Sequence, residues 1–440
     1  MKRNVESWGR YPKARQSVIP LTWRHLDFPL SPEAGKTYLP SGNGRSYGDS
    51  CLNDGGVLLD ARGLDHFIDF DSIKGIIRCE AGVLLSEILE LTVPRGWILP
   101  VIPGTRFVTV GGAIANDIHG KNHHREGTFG RHLNGFELLR SDNERINCSR
   151  EKNREWFQAT IGGLGLTGII LRAEIALKRI PHPAIDSVTV PFQNLEEFFR
   201  LSEKSDTEFE YTVAWIDCLA GGQNRGRGLF ICGRHLDVSG TGPPEASGSG
   251  LDIPLVMPCS LINRPFVRVY NALNYFKTKK PVSRSILHYA PFFFPLDALG
   301  HWNRLYGPEG FMQYQCVIPH RNGKDALEEI LRTCELKGMQ SVLGILKVFG
   351  RMKSPGLLSF PRPGITLAMD FPNQGPSTLD LLEKLDRIVL AAGGAVYPAK
   401  DARMSAASFK RFFPNWELLE KFRDPKFSSS FWRRVTKGLT

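Results

Sequence analysis

Three runs of very small residues in the first 180 positions each lie beside hydrogen-bonding side chains, and that pairing suggests a large ligand approached by backbone. The first is PSGNGRSYGDS, residues 40–50. Gly42, Gly44 and Gly48 allow successive N–H groups to crowd an anion, as phosphate-binding nests do, with Asn43, Arg45, Ser46 and Tyr47 between them. No helical pattern follows, so this is not the dinucleotide fingerprint of a βαβ unit; taken alone, it is also what a hairpin turn looks like. The second run, PGTRFVTVGGAIANDIHGKNHHREGTFG, spans 103–130. Gly111, Gly112, Ala113 and Ala115 leave room for a flat aromatic group against the backbone, with Gly104, Thr105 and Asn116 in the same run, and His119, Gly120, Lys121 and Asn122 follow. His119, His123 and His124 invite a zinc reading, but no spaced carboxylate or thiolate completes a ligand set, so no metal is expected. The third run, IGGLGLTGII at 161–170, carries Gly168 and Ile169 and reads as a bulged strand or a third point of close approach. One large ligand held by all three is the simplest account.

The elements that must position these runs fall into three zones. Up to about residue 180, β-rich segments such as GVLLDARGL, GIIRCEAGV and TGIILRAEIAL alternate with glycine turns. LLSEILELTVPRG reads as a helix closed by its proline and glycine. From 181 to 394, strands (SVTVPF, FMQYQCVIP, VLGILKVFG, ITLAMDFP) alternate with helices, the first capped by Asn194. The pattern predicts an antiparallel sheet with helices on one face. Gln313 and Gln315, two apart, share one strand face, and Tyr314 takes the other. Loops at about 237–250 and 263–284 are expected to be mobile. Residues 395–440 are too few to fold alone and should complete the first domain, giving a first unit (1–180 with 395–440) and a second at 181–394.

Bulk composition narrows the partners. A net charge of +11 favours acidic ones. Residues 400–440 hold ten Lys/Arg against four Asp/Glu, and 263–284 hold six basic residues and no acid. Nucleic acid is not expected, because no zinc-finger, RNP or helix-turn-helix pattern is present. The eight cysteines lie at least fourteen residues apart, which suits reduced thiols of a cytoplasmic protein. No signal-peptide core and no apolar run of spanning length are evident, so any membrane contact is expected to be peripheral.

The three runs, with FPLDALGHWNRLYGPEGFMQYQCVIP, LKVFG, LSFPRPG and VYPAKDAR, resemble the decaprenylphosphoryl-β-D-ribose oxidase family, within the vanillyl-alcohol-oxidase class with a PCMH-type FAD-binding domain. The likeness runs from about residue 8 to 435. It implies an α+β, two-domain flavoprotein in which an FAD domain is paired with an antiparallel-sheet substrate domain. Residues 42–49, Gly104, Gly111, Gly112, Ala113, Asn116 and His119 would then hold FAD, with Ile169 near its adenosine half and Tyr397 reaching it from the returning strand. Arg45 stands where covalent relatives carry a histidine, so FAD is expected to be noncovalent. Ala368 replaces a cysteine of mycobacterial members, which makes a thiol there dispensable.

By the same resemblance, Lys400 would stabilise reduced flavin or serve as base. Lys347 would reach the substrate's phosphate or hydroxyl, Gln313 and Gln315 would bind sugar hydroxyls, and Tyr47 and His119 would line the cavity. The implied reaction oxidises the C2 hydroxyl of polyprenylphosphoryl-β-D-ribose, and a separate NAD(P)H-dependent short-chain reductase completes an epimerisation to arabinose. The alternatives are an aldonolactone or alditol oxidase acting on a small soluble sugar, and a basic scaffold without catalysis.

Overall fold

The computed structural model describes residues 5–30, 35–237, 250–277, 282–339 and 341–438. The expected loop at about 237–250 lies almost wholly outside them.

The N-terminal zone begins with a small parallel sheet. Strands β1 (Ser17–Pro20), β2 (Tyr38–Ser41) and β3 (Val57–Asp60) run in the order β1-β3-β2, with the all-apolar start of β3 buried between its neighbours. A five-stranded antiparallel sheet follows, in the order β4-β5-β8-β6-β7: β4 (Phe67–Asp71), β5 (Ile76–Glu80), β6 (Leu133–Leu139), β7 (Arg145–Ser149) and β8 (Ile169–Ala176). Helix α1 (Leu85–Thr92) runs into a short turn and stops at Gly96, whose φ of 77° is readily adopted only by glycine. Helix α2 (Val110–Ala115) starts at Thr109, whose hydroxyl accepts from the Gly112 N–H at 3.2 Å.

The second zone is one antiparallel sheet of eight strands, ordered β12-β9-β11-β10-β14-β15-β13-β16. These are β9 (Ala184–Phe192), β10 (Tyr211–Ile216), β11 (Gly228–His235), β12 (Ser283–His288), β13 (Phe311–Ile318), β14 (Gly344–Phe349), β15 (Gly364–Pro372) and β16 (Ala395–Val396). Helices α3 (Leu195–Ser205), α5 (His320–Leu336) and α6 (Pro376–Ala391) share the main core with this sheet. Asn194 caps α3, accepting from the Glu197 N–H at 3.1 Å. In α5 the buried positions Gly323, Ala326, Leu327, Ile330, Leu331 and Cys334 trace a helical stripe facing the sheet. Between β11 and β12 lies α4 (Arg264–Lys277), a regular helix over much of the expected mobile stretch.

The chain's end ties the two zones together. β16 pairs with β13 in the large sheet, and the chain then crosses to the N-terminal zone. There, in helix α7 (Ser430–Thr436), Arg434 grips Asp49 with two hydrogen bonds of 2.7 and 2.9 Å and reaches Asp401 at 2.9 Å.

Candidate active site

Between the two zones lies a cavity of about 890 Å³, within the range of ligand and cofactor sites. All three small-residue runs reach it: Gly42 to Tyr47 from the first, Gly104, Gly111, Gly112, Asn116, His119 and Gly120 from the second, Gly165 and Gly168 from the third. Their glycines serve different ends. Gly104 opens onto the cavity, with no protein atom within 4 Å of a Cβ built there. Gly44 has φ of 61° and Gly168 a φ of 147°, both ordinary only for glycine.

The opposite wall is the uncovered face of the large sheet, and its chemistry changes from strand to strand. Because side chains alternate, every second residue of five adjacent strands faces the cavity. Ile231 comes from β11, Val213 and Trp215 from β10, Ile345 and Lys347 from β14, Thr366 and Ala368 from β15, Gln313 and Gln315 from β13. One register row reads Gln315, Ala368, Ile345, Trp215, and the next reads Thr366, Lys347. The wall is therefore polar toward β13 and apolar toward β11. Tyr314 points the other way and donates to Asp386 of α6 at 3.2 Å.

The polar end is closed by the returning chain. The Tyr397 hydroxyl donates to the Asn116 carbonyl at 2.9 Å, and the Tyr47 N–H donates to the Ala399 carbonyl at 2.9 Å. Lys400 is thereby set against the first loop, its Nζ lying 3.7 Å from the centroid of the Tyr47 ring. Asp401 does not neutralise it, being engaged by Arg434 and by the Met404 N–H. The Gln315 amide nitrogen lies 3.0 Å from His119 Nε2 and 3.2 Å from the Thr366 hydroxyl. With that amide donating, His119 carries its proton on Nδ1, which has no partner among the described residues.

Among the described residues three lysines line this cavity, and burial weakens the hold of each on its proton. Lys347 is lowered to about 8 by burial. Lys121 falls to about 7 through burial and the charge of Lys347. Lys400 also falls to about 7: burial dominates, Asp370 opposes it, and Lys347 adds to it. The Asp370 carboxyl is raised by burial, although the Gln313 amide donates to it at 2.6 Å. His119 is held neutral by burial and the nearby lysines.

Several sequence candidates do not reach the cavity wall. A Cβ on Gly48 would sit 1.7 Å from the Asp401 carbonyl oxygen, so that glycine lets the returning chain pack. Ala113 faces the core from the inner side of α2. Asn122 spends its amide on the Pro100 carbonyl at 2.8 Å. Ile169 packs with Leu139 and Leu171, while strand alternation turns Ile170 to the cavity. Thr105, Asn43, Arg45, Ser46 and Tyr397 do line it. Sequence reasoning left Trp215, Thr366, Asp370 and Asp297 off the site. The first three were within reach of the period-two rule once their neighbours in register were known. Asp297, which accepts from the Arg106 N–H at 2.9 Å, gave no local signal.

A family profile described as an FAD binding domain matches residues 30–149, the stretch that contains the first two runs. Over 98% of its length the chain is 35% identical to the decaprenylphosphoryl-beta-D-ribose oxidase of Mycolicibacterium smegmatis, covering 97% of that protein. It is 33% identical, over 78% of its length and 94% of the relative, to an uncharacterised protein of Streptomyces coelicolor. A D-lactate dehydrogenase of Anaerostipes hadrus is 26% identical over only 38% of the chain. The chain is an FAD-dependent oxidoreductase acting on CH–OH groups and belongs to the family of FAD-binding oxidases that includes decaprenylphosphoryl-beta-D-ribose oxidase.

Proposed function

We propose that this enzyme oxidises the C2 hydroxyl of a polyprenylphosphoryl-β-D-ribose to the 2-keto sugar. A separate NAD(P)H-dependent short-chain reductase then delivers hydride to the opposite face, giving the arabinose epimer. The observation that carries this reading is the divided sheet wall, with amides, a hydroxyl and lysines at one end and Ile345, Trp215, Val213 and Ile231 at the other. A sugar phosphate with an apolar tail has the same polarity profile. The M. smegmatis relative's name, decaprenylphosphoryl-beta-D-ribose oxidase, points the same way.

The cavity suits FAD in several respects. Arg45, Arg106 and the three lysines outnumber Asp252 and Asp297 along its walls, as a pyrophosphate requires. Ser50 Oγ and Arg45 Nε, on lining residues, have no partner among the described residues. The residues proposed to hold FAD are Gly42 to Tyr47, Gly104, Thr105, Gly111, Gly112, Asn116, His119, Gly120, Gly168 and Tyr397, with 1–180 and 395–440 forming one cofactor unit and 181–394 the substrate unit. Noncovalent binding is the reading that Arg45 favours, a guanidinium held 4.2 Å from the Trp8 ring centroid that offers no nucleophile. When bound, FAD supplies a hydride acceptor for the carbinol carbon.

The protein's own groups do the rest. Lys400 Nζ, its pKa lowered by burial to about 7, takes the hydroxyl proton in its neutral form. Gln315 spends its amide nitrogen on His119 and Thr366, leaving Oε1 to accept from a sugar hydroxyl. Lys347 and Gln313 fix the sugar's remaining oxygens, and the apolar strands exclude water beside them.

The test is anaerobic mixing of the yellow enzyme with synthetic polyprenylphosphoryl-ribose. The expected result is bleaching of the flavin, with free sugars, lactones and alditols inert. Bleaching by the soluble sugars alone would assign the enzyme to the aldonolactone or alditol oxidases instead.

A further inference from the structure

Helix α4 is built inside out. Its buried face carries Val267 and Asn271, the latter 1% exposed and donating to Asp217 at 2.7 Å. Its solvent face carries Phe266, Val269, Leu273 and Phe276, exposed by 44, 60, 69 and 62%. At 100° per residue these four fall within one third of the helix circumference. The neighbourhood shares the trait: of eighteen large apolar side chains exposed among the described residues, eleven lie between 251 and 286. A soluble surface scatters such residues singly, and a concentration of this kind marks a contact.

We infer that α4 lies in the interface of an anionic membrane and turns the cavity mouth toward it. Charge selects this occupant. Residues 263–284 hold Arg264, Arg268 and three lysines with no acid, besides Arg284, which pairs with Asp186 at 2.6 Å. Arg264 and Arg268 are both exposed, in the N-terminal half of α4. A second copy of the chain docked through the same face would set like charge against like. An anionic lipid surface is complementary to both the charge and the apolar stripe, the combination that holds amphipathic helices in the headgroup region. The segment 238–249, VSGTGPPEASGS, has a valine and an alanine as its only aliphatic side chains besides proline, too little to cover four large ones. Position supplies the purpose. Tyr270 and Asn274 of α4 line the same cavity as Lys400 and Lys347, so a helix seated in the headgroups would offer that cavity to an amphiphile whose tail stays in the bilayer.

The purpose rests on the lipid-linked reading above, but the test does not. The FAD-loaded full chain is floated with vesicles of phosphatidylcholine alone and with vesicles in which a third of the lipid is phosphatidylglycerol. Binding to the anionic vesicles is expected to be at least about tenfold stronger and to weaken with salt. Leu273→Ser with Phe276→Ser should abolish it. Arg264→Glu with Arg268→Glu, which leaves the stripe intact, should reduce it to the phosphatidylcholine level. The flavin spectrum reports folding in each variant. Equal failure of the unaltered enzyme on both vesicle types overturns the inference. So does a concentration-dependent dimer dissolved by the serine variant without vesicle binding, which would give the face to a second copy. Flavin bleaching by the lipid-linked sugar in detergent is scored separately, so loss of the substrate reading and loss of the membrane reading are told apart.

Discussion

The cavity wall and helix α4 break the ordinary rule of burial in opposite directions. On β13, β14 and β15 the chain turns Gln313, Gln315, Lys347, Thr366 and Asp370 inward, where desolvating them costs free energy. On α4 it turns phenylalanine, valine and leucine outward while burying an asparagine. Neither arrangement serves stability. The first sets chemistry where water is scarce, and the second keeps an apolar stripe available to a partner. Buried polar side chains that answer one another are the mark of the reacting end, and exposed apolar ones the mark of the docking end.

The largest effect should follow from removing the base at the polar end. Lys400→Met should retain FAD, because the glycine runs and the other four cations of the wall are untouched, yet slow anaerobic flavin reduction by about 100- to 10,000-fold, the usual worth of a positioned base. Stopped-flow bleaching measures it, and unchanged kinetics would remove Lys400 from the chemistry. Gly104→Val comes next. With no protein atom within 4 Å of its Cβ, the new side chain disturbs no packing and occupies space beside the cofactor. FAD affinity is expected to fall by at least about tenfold, with loss of bound-ligand contacts as the cause. A fully yellow, stoichiometric variant would move the cofactor away from this wall.

A subtler pair of substitutions probes how the buried polar groups speak to one another. Neutral Lys400 is the active form in this scheme, so flavin reduction should rise as pH increases through about 7. Lys347 disfavours a proton on Lys400, and Asp370 favours it. Lys347→Met should therefore raise the pKa of Lys400 and carry the limb to higher pH. Asp370→Asn should lower it and carry the limb to lower pH. Shifts in the same direction would show that the limb belongs to another group.

Much of this was legible from local sequence, for identifiable reasons. Glycine runs advertise close approach because their backbone needs are local. The convergence of the runs at 42–47, 104–120 and 165–168 could be argued before any coordinates, and α+β architecture followed from alternating periodicities. Four candidates lie off the cavity wall for local reasons. Ala113, Asn122 and Ile169 sit inside the same motifs but point into the packing, since a motif fixes the segment and not the side-chain direction, and Gly48 lies against the returning chain. Ile169 and Ile170 differ only by strand parity, which depends on the register β8 adopts against β6. Asp370 and Trp215 became visible only through cross-strand rows, a property of sheet order. Helix α4 falls where a mobile loop was expected at about 263–284, because mixed aromatic and basic residues show that a stretch has an apolar side without saying whether that side is packed.

The smallest expected effect is the sharpest test of that last point. Leu273→Ser and Phe276→Ser remove large apolar side chains, which in a core would cost several kcal/mol. Phe198→Ala, on the fully buried face of α3, is expected to cost about 3–5 kcal/mol. If the α4 stripe faces water in the isolated enzyme, the serine substitutions delete nothing that folding buried. Each should then change stability by no more than about 0.5 kcal/mol, as surface substitutions do. Calorimetric melting of the FAD-loaded variants, without lipid, measures the difference. A loss comparable to that of Phe198→Ala would mean that α4 is packed in solution against something of its own, and the contrast between the two ends of the cavity would lose its docking half. A null result, together with loss of vesicle flotation, would place the apolar stripe outside the folding energetics and inside those of binding.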